Sequence, residues 1–152
     1  MSRPIVSLMI CGLLVSSLTG WTQTLQVLGN PVINVVTAAD YQNGVTVLHN
    51  TVQVSVAANV QYSLQAKASG NMTSGVRSIP IGQMHLRATN IPGNVNAGFN
   101  LSTVYQTLVS SRQTVAVTNY AITLEYKLAG GSAILQPGGA YTTTITFLLT
   151  SP

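Results

Sequence analysis

Few side chains in this 152-residue sequence are suited to acid–base chemistry. The carboxylates are Asp40 and Glu125, and the imidazoles are His49 and His85. A glycosidase needs two carboxylates that flank one bond, but Asp40 lies in a turn-like segment and Glu125 lies in the middle of a strand-like one. No serine is set in a nucleophile elbow. We therefore expect a protein that is not an enzyme.

Metal and cofactor sites are not predicted either. In residues 23–152, two histidines without a cysteine or clustered acids cannot fill a zinc site, and no aspartate-rich loop offers oxygen ligands to calcium. The sequence therefore predicts no metal and no other cofactor.

The charge of the chain is low and dispersed. Charged residues make up 5% of the sequence, against about 25% in an ordinary soluble domain. The six Lys and Arg residues are scattered singly from Arg3 to Lys127. Because no cluster could neutralise several phosphates, nucleic acid is not expected as a partner.

The first 22 residues have the layout of a secretory signal peptide. Arg3 supplies a positive start, residues 5–15 are apolar, and small residues precede a cleavage site that we predict after Thr22. Residues 23–152 would then form the mature domain, secreted or at the cell surface. The apolar stretch at residues 5–15 is shorter than the about 20 residues that a membrane span needs, and we expect no membrane span in the mature domain. The single cysteine, Cys11, precedes this domain.

Segments of the mature chain alternate apolar and polar residues with period 2, which is typical of half-buried strands. Residues 120–128 and 141–149 are the clearest examples, and we predict that they form a closing hairpin. Residues 45–56 and 62–66 are predicted to pair as consecutive antiparallel strands. Seven or eight such segments recur at about ten-residue spacing without helical period. The sequence therefore predicts an all-β fold, a single antiparallel β-sandwich of immunoglobulin-like or jelly-roll type.

The connections carry turn signals. Residues 40–44 end in Asn-Gly, a strong hairpin signal, so we predict a turn there rather than a helix. Residues 89–98 are rich in Asn, Gly and Pro and are predicted to form an irregular surface loop.

Two predicted strands carry polar pairs at alternate positions. His85 and Arg87 fall on the outward face of the strand at residues 84–88. Glu125 and Lys127 are two residues apart, and we interpret them as a same-face charge pair on a solvated strand. Neither pair is predicted to have a function.

The amino-terminal strand of the mature domain is predicted to be an edge strand. Its alternation is interrupted at Pro31, which cannot donate a hydrogen bond to a ladder. Leu25, Val27 and Gly29 fall at alternate positions before the break, so they form a candidate strand-donor segment. The same residues could equally be the protein's own first strand.

Three stretches carry a resemblance to a known family. Residues 62–70 look like a central strand, residues 78–81 like the strand after it, and residues 139–147 like a terminal "Gly-x-Tyr" strand. Together they resemble secreted bacterial surface β-sandwich proteins, the pilin-like subunits of the chaperone-usher and spore-coat-U type. The resemblance implies a fibre or surface subunit without catalysis that associates with itself or with other surface subunits. It also implies that an N-terminal strand can complete a neighbour's sheet by β-augmentation.

A monomeric carbohydrate-binding module is the alternative. It would use the tyrosine rings for stacking and the asparagine amides for sugar hydroxyls. Its candidate ligand-binding residues are Tyr41, Tyr105, Asn90, Asn94 and Asn96.

Overall fold

The computed structural model describes residues 23–91 and 97–151, together with the backbone of residues 6–7. In chain order its strands are β1 Val6–Ser7, β2 Thr24–Val27, β3 Val32–Ile33, β4 Val45–Val56, β5 Gln61–Ala68, β6 Met72–Ser74, β7 Arg77–Ile79, β8 Met84–Ala88, β9 Phe99–Asn100, β10 Gln106–Arg112, β11 Val117–Leu128 and β12 Ile145–Thr150. Helix α1 covers Ala38–Asn43, and 3-10 turns cover Ile81–Gln83 and Ser132–Ile134. The proposed signal peptide, residues 1–22, lies outside the described residues except for β1.

Two antiparallel sheets form the sandwich. One has five strands in the order β2-β4-β11-β8-β9, and the other has three in the order β10-β5-β12. The short pairs β6-β7 and β1-β3 lie outside these two sheets. Eight described strands thus belong to the two sheets, which confirms the predicted all-β sandwich.

The core lies between the sheets and is built by alternation along the strands. On β11 the side chains of Ile122, Leu124, Tyr126 and Leu128 are buried, and on β12 those of Ile145 and Phe147 are buried as well. Successive side chains of a strand point to opposite faces. The residues between the buried ones therefore face outward, and on β11 they form part of a polar outer surface.

The predicted strand partners were wrong in two places. β4 pairs with β2 and β11, whereas β5 pairs with β10 and β12, so the link after β4 carries the chain across the sandwich. β11 and β12 do not form a hairpin, because β12 pairs with β5 in the other sheet. Alternation shows which face of a strand is buried, but both sheets bury a face against the same core, so it does not identify the partner.

Helix α1 corrects the predicted turn at residues 40–44. The Thr37 side chain accepts a hydrogen bond from the Asp40 N–H at 3.2 Å, and Asp40 Oδ2 accepts from the Thr37 N–H at 2.8 Å. This is a capping box in which aspartate takes the place of the usual Glu or Gln. The backbone N–H groups of Thr37 and then Val36 lower the pKa of Asp40.

Removal of this cap should weaken the domain measurably. We expect Thr37→Ala to lower the free energy of unfolding by about 1 kcal/mol, since it deprives an N-terminal N–H of its acceptor. Urea unfolding followed by circular dichroism measures the change. Thr103→Ala, at an exposed loop position, is the control. Equal stability of the two variants would show that the capping box does not stabilise the domain.

Candidate functional site

A concavity of about 550 Å³ lies on the outward face of the five-stranded sheet. Small-molecule sites in proteins have volumes of about 300–1,000 Å³. Gly82 and Ala129 line part of it, and its other lining residues have polar or charged side chains: Gln83, His85, Arg87, Asn100, Glu125 and Lys127.

The alternation of two neighbouring strands places the central side chains. β8 buries Met84, Leu86 and Ala88, so His85 and Arg87 project to the outer face as predicted. β11 buries the residues on either side of Glu125 and Lys127, so these project to the same face.

The antiparallel register then sets which side chains are neighbours. His85 lies opposite Lys127 on β11 and opposite Asn100 on β9. Arg87 lies opposite Glu125. Directly opposite residues have Cβ atoms about 4.5–5.5 Å apart, so the concavity contains two adjoining rows of polar side chains.

In the structure Glu125 forms its ion pair with Arg87 on the neighbouring strand β8, and not with Lys127 on its own strand. Arg87 Nη2 donates to Glu125 Oε2 at 2.8 Å, and the Glu125 side chain is only 19% exposed. Residues two apart on a strand are separated by about 6.6 Å along the chain, farther than directly opposite residues. Lys127 is exposed and makes no ion pair within the part of the chain that the structure describes.

Gly98, the residue directly before β9, lies close to the His85 ring. Gly98 has φ +83°, and a Cβ there would lie 2.6 Å from His85 Cε1 and 2.5 Å from the Leu86 carbonyl oxygen. His85 Nδ1 and Arg87 Nε are buried and have no hydrogen-bond partner within residues 23–91 and 97–151. Because Nδ1 is covered, Nε2 is the only ring nitrogen left to contact a ligand.

A second cluster of polar side chains, His49, Thr51 and Tyr126, lies on the inner side of the five-stranded sheet. Thr51 Oγ1 is 2.9 Å from His49 Nδ1 and 2.8 Å from the Tyr126 hydroxyl oxygen. The register between β11 and β4 shifts at this point, leaving Thr51 between two paired residues and buried. Burial raises the pKa of Tyr126. We interpret this buried chain as a structural element, because its groups satisfy each other's hydrogen bonds.

The residues predicted for sugar binding are dispersed. The Asn90 amide is bound to the backbone of β11, since its Nδ2 donates to the Ala121 carbonyl and its Oδ1 accepts from the Thr123 N–H, both at 2.9 Å. The Tyr41 carbonyl accepts from the Gly131 N–H, which lies beyond Leu128 at the other end of β11. The seven residues from Ala121 to Leu128 alone span roughly 23 Å along the strand.

Tyr105 adjoins the other sheet, where Lys67 Nζ lies 4.4 Å from its ring centroid. Asn94 and Asn96 lie outside the described residues. Among the residues that can be placed, the structure does not bring Tyr41, Tyr105 and Asn90 into one site.

The candidate donor residues lie on the sandwich itself. Leu25 is opposite Val54 and Val27 is opposite Val52, so β2 extends its own sheet. Leu25 is 9% exposed and belongs to the core. A Cβ at Gly29 would lie 3.5 Å from the His49 ring.

Sequence reasoning missed the concavity, although its outward-facing residues were recognised. The equal spacing of the polar pairs at 85/87 and 125/127 indicated two outward faces. It gave no sign that β8 and β11 are neighbours, and Gln83 and Asn100 had no distinguishing pattern.

Within residues 23–91 and 97–151, no three His, Cys, Asp or Glu side chains lie where they could hold a metal ion. The single α-helix that the structure describes has six residues, and no described helix is long and apolar enough to cross a membrane.

Fold and site together define an antiparallel β-sandwich with a polar concavity on its outer face. No protein-family model matches the chain, and no curated protein matches it either. The resemblance to pilin-like subunits therefore stays a prediction.

Proposed function

We propose that this protein is a secreted, non-enzymatic structural or adhesive subunit of a bacterial surface, similar to a fimbrial subunit. It would assemble with further copies or with other surface subunits through β2. The observation that carries this proposal is the position of β2, an edge strand at the start of the proposed mature domain that is attached to the sandwich along one ladder only.

Exchange of β2 between copies is supported by the short ladder and the small buried surface that attach β2 to its own sheet. Its ladder with β4 has four residue pairs, and Leu25 is its one buried side chain. Apolar side chains are exposed just after it: Leu28 at 43%, Val32 at 46% and Val36 at 50%. A neighbour's strand that replaced β2 would form the same main-chain hydrogen bonds with β4 and could cover these side chains.

The absence of catalysis in this proposal is supported by the hydrogen bonds and ion pair that already engage three of the four acid–base side chains. Asp40 caps helix α1 and Glu125 is bound to Arg87. His49 is bound to Thr51 inside the sandwich. Carboxylates already bound in this way are not placed as a free acid and base around one substrate bond.

A disulfide that fixes β2 to its own sheet tests the assembly. Gln26 and Gln53 are directly opposite, so Gln26→Cys/Gln53→Cys meets the distance that a disulfide requires. In the mature chain these are the only cysteines. We expect the reduced variant to form oligomers or filaments and the oxidised variant to stay monomeric, as measured by size exclusion with light scattering and by electron microscopy.

The matched control is Gln65→Cys/Leu148→Cys, a directly opposite pair on β5 and β12. It should assemble equally well in both redox states, since it leaves β2 free. Assembly of the Gln26→Cys/Gln53→Cys variant after its oxidation as a monomer would exclude exchange of β2. A wild-type protein that remains monomeric at high concentration would exclude self-assembly.

The alternative is a monomeric carbohydrate-binding module. The polar concavity favours it, although Tyr41, Tyr105 and Asn90 are not among its lining residues. Retention of a sugar by a monomeric wild-type protein on a glycan array would select this alternative.

A further inference from the structure

We propose that the concavity on the five-stranded sheet binds an acidic sugar. Lys127 and Arg87 would bind the carboxylate, and the amides of Asn100 and Gln83 would bind neighbouring hydroxyls. The inference does not depend on assembly, because none of the lining residues lies on β2.

The charge distribution points to an anionic ligand. Residues 23–152 contain only seven charged side chains: Asp40, Lys67, Arg77, Arg87, Arg112, Glu125 and Lys127. Three of the seven, Arg87, Glu125 and Lys127, line the concavity. With two positive groups and one negative group, the site carries a net charge of +1, enough for one carboxylate and too little for a polyphosphate chain.

The two cations are available to a ligand in different ways. Lys127 is exposed without an ion-pair partner among the described residues, so its three N–H donors can turn to a ligand. Arg87 is held by Glu125, yet its side chain is 43% exposed. A guanidinium has five N–H donors. The hydrogen bond to Glu125 uses one of them, and the buried Nε carries a second that does not face a ligand. The ion pair therefore orients Arg87 while leaving donors free.

The remaining groups match hydroxyls better than a second charge. The Asn100 and Gln83 amides each offer donors and an acceptor, and the His85 ring offers Nε2. At the rim, a Cβ on Gly82 would meet no atom within 4 Å, so the site is open there. A simple anion would leave these neutral groups without ligand contacts, whereas an acidic sugar presents a carboxylate and hydroxyls together.

Isothermal titration at low salt tests the inference with three probes. Digalacturonate carries carboxylates and hydroxyls, galactobiose carries the hydroxyls alone, and succinate carries the carboxylates alone. We expect digalacturonate to bind at least about tenfold more tightly than either of the others, because only it uses both sets of groups.

Two substitutions test whether digalacturonate binds in the concavity. Lys127→Gln should weaken digalacturonate binding about tenfold, whereas Lys67→Gln, the same change on the other sheet, should leave it unchanged. Equal binding of succinate would indicate a simple counter-ion, and equal binding of galactobiose would indicate no role for the cations. Either result would overturn the inference, as would unchanged binding by Lys127→Gln or no heat with digalacturonate at millimolar concentration.

Discussion

Gly44→Ala is expected to lower the free energy of unfolding by about 3 kcal/mol. Gly44 joins α1 to β4 with φ 81° and ψ 179°, a combination that is essentially restricted to glycine. A Cβ at this position would also overlap the carbonyl oxygen of Leu128 and approach the Gly130 nitrogen to 2.8 Å. Both neighbours are backbone atoms and cannot rotate away. The strain and the overlap therefore act together.

Two other glycines separate these causes. Gly75 has φ +60° but open space around it, so Gly75→Ala should cost only the strain, about 1–2 kcal/mol. Gly138 has open space and no positive φ, so Gly138→Ala should be close to neutral. Urea unfolding followed by circular dichroism measures all three. A Gly44→Ala variant no less stable than Gly75→Ala would show that the contact with Leu128 is unimportant.

Alkaline pH should destabilise the domain through Tyr126. Burial raises the pKa of this side chain, whose ordinary value is about 10. Below pH 10 the phenol is protonated in both states and its contribution to stability is complete. Above pH 10 the unfolded state loses the proton while the folded state keeps it, so stability falls by about 1.4 kcal/mol per pH unit. Between pH 10 and pH 12 we expect a loss of about 2–3 kcal/mol.

Tyr126→Phe tests the assignment, because phenylalanine keeps the ring and has no proton to lose. The variant should show a shallower fall in stability between pH 10 and pH 12, measured by urea unfolding at each pH. Part of the fall should remain, since burial also raises the pKa of Tyr62. Tyr105→Phe, at the half-buried ring beside Lys67, should keep the full dependence. An unchanged slope in Tyr126→Phe would assign the alkaline loss to other groups.

The proposed ligand site and the proposed exchange strand lie apart on the five-stranded sheet. β2 lies at one edge of the five-stranded sheet, and the concavity lies toward the opposite edge, which β9 forms. A subunit that exchanged β2 with its neighbour would leave the concavity free for a ligand. Assembly and ligand binding can therefore be tested separately, and failure of one does not decide the other.

The local features of the fold were largely predictable from the sequence. Period-2 alternation identified the strands and their buried faces, as at Ile122 and Leu124 on β11, because the side-chain direction of a strand follows from its backbone geometry. It also placed His85 and Arg87 on an outer face and β2 at an edge. Helix α1 was not predicted, because Asn43-Gly44 indicates a turn and the capping box carries Asp40 where Glu or Gln is usual.

Only the tertiary structure decided which strands are neighbours. The sequence determined that His85 and Lys127 face outward, but their proximity depends on the pairing of β8 with β11, which are separated by the crossing of the chain between the sheets. Strand pairing likewise determines the ion pair of Arg87 with Glu125 and the hydrogen bonds that link His49 to Tyr126 through Thr51. The physical reason is that alternation encodes burial, a property of each residue alone, whereas a site requires contacts between distant segments that are selected by packing of the whole core.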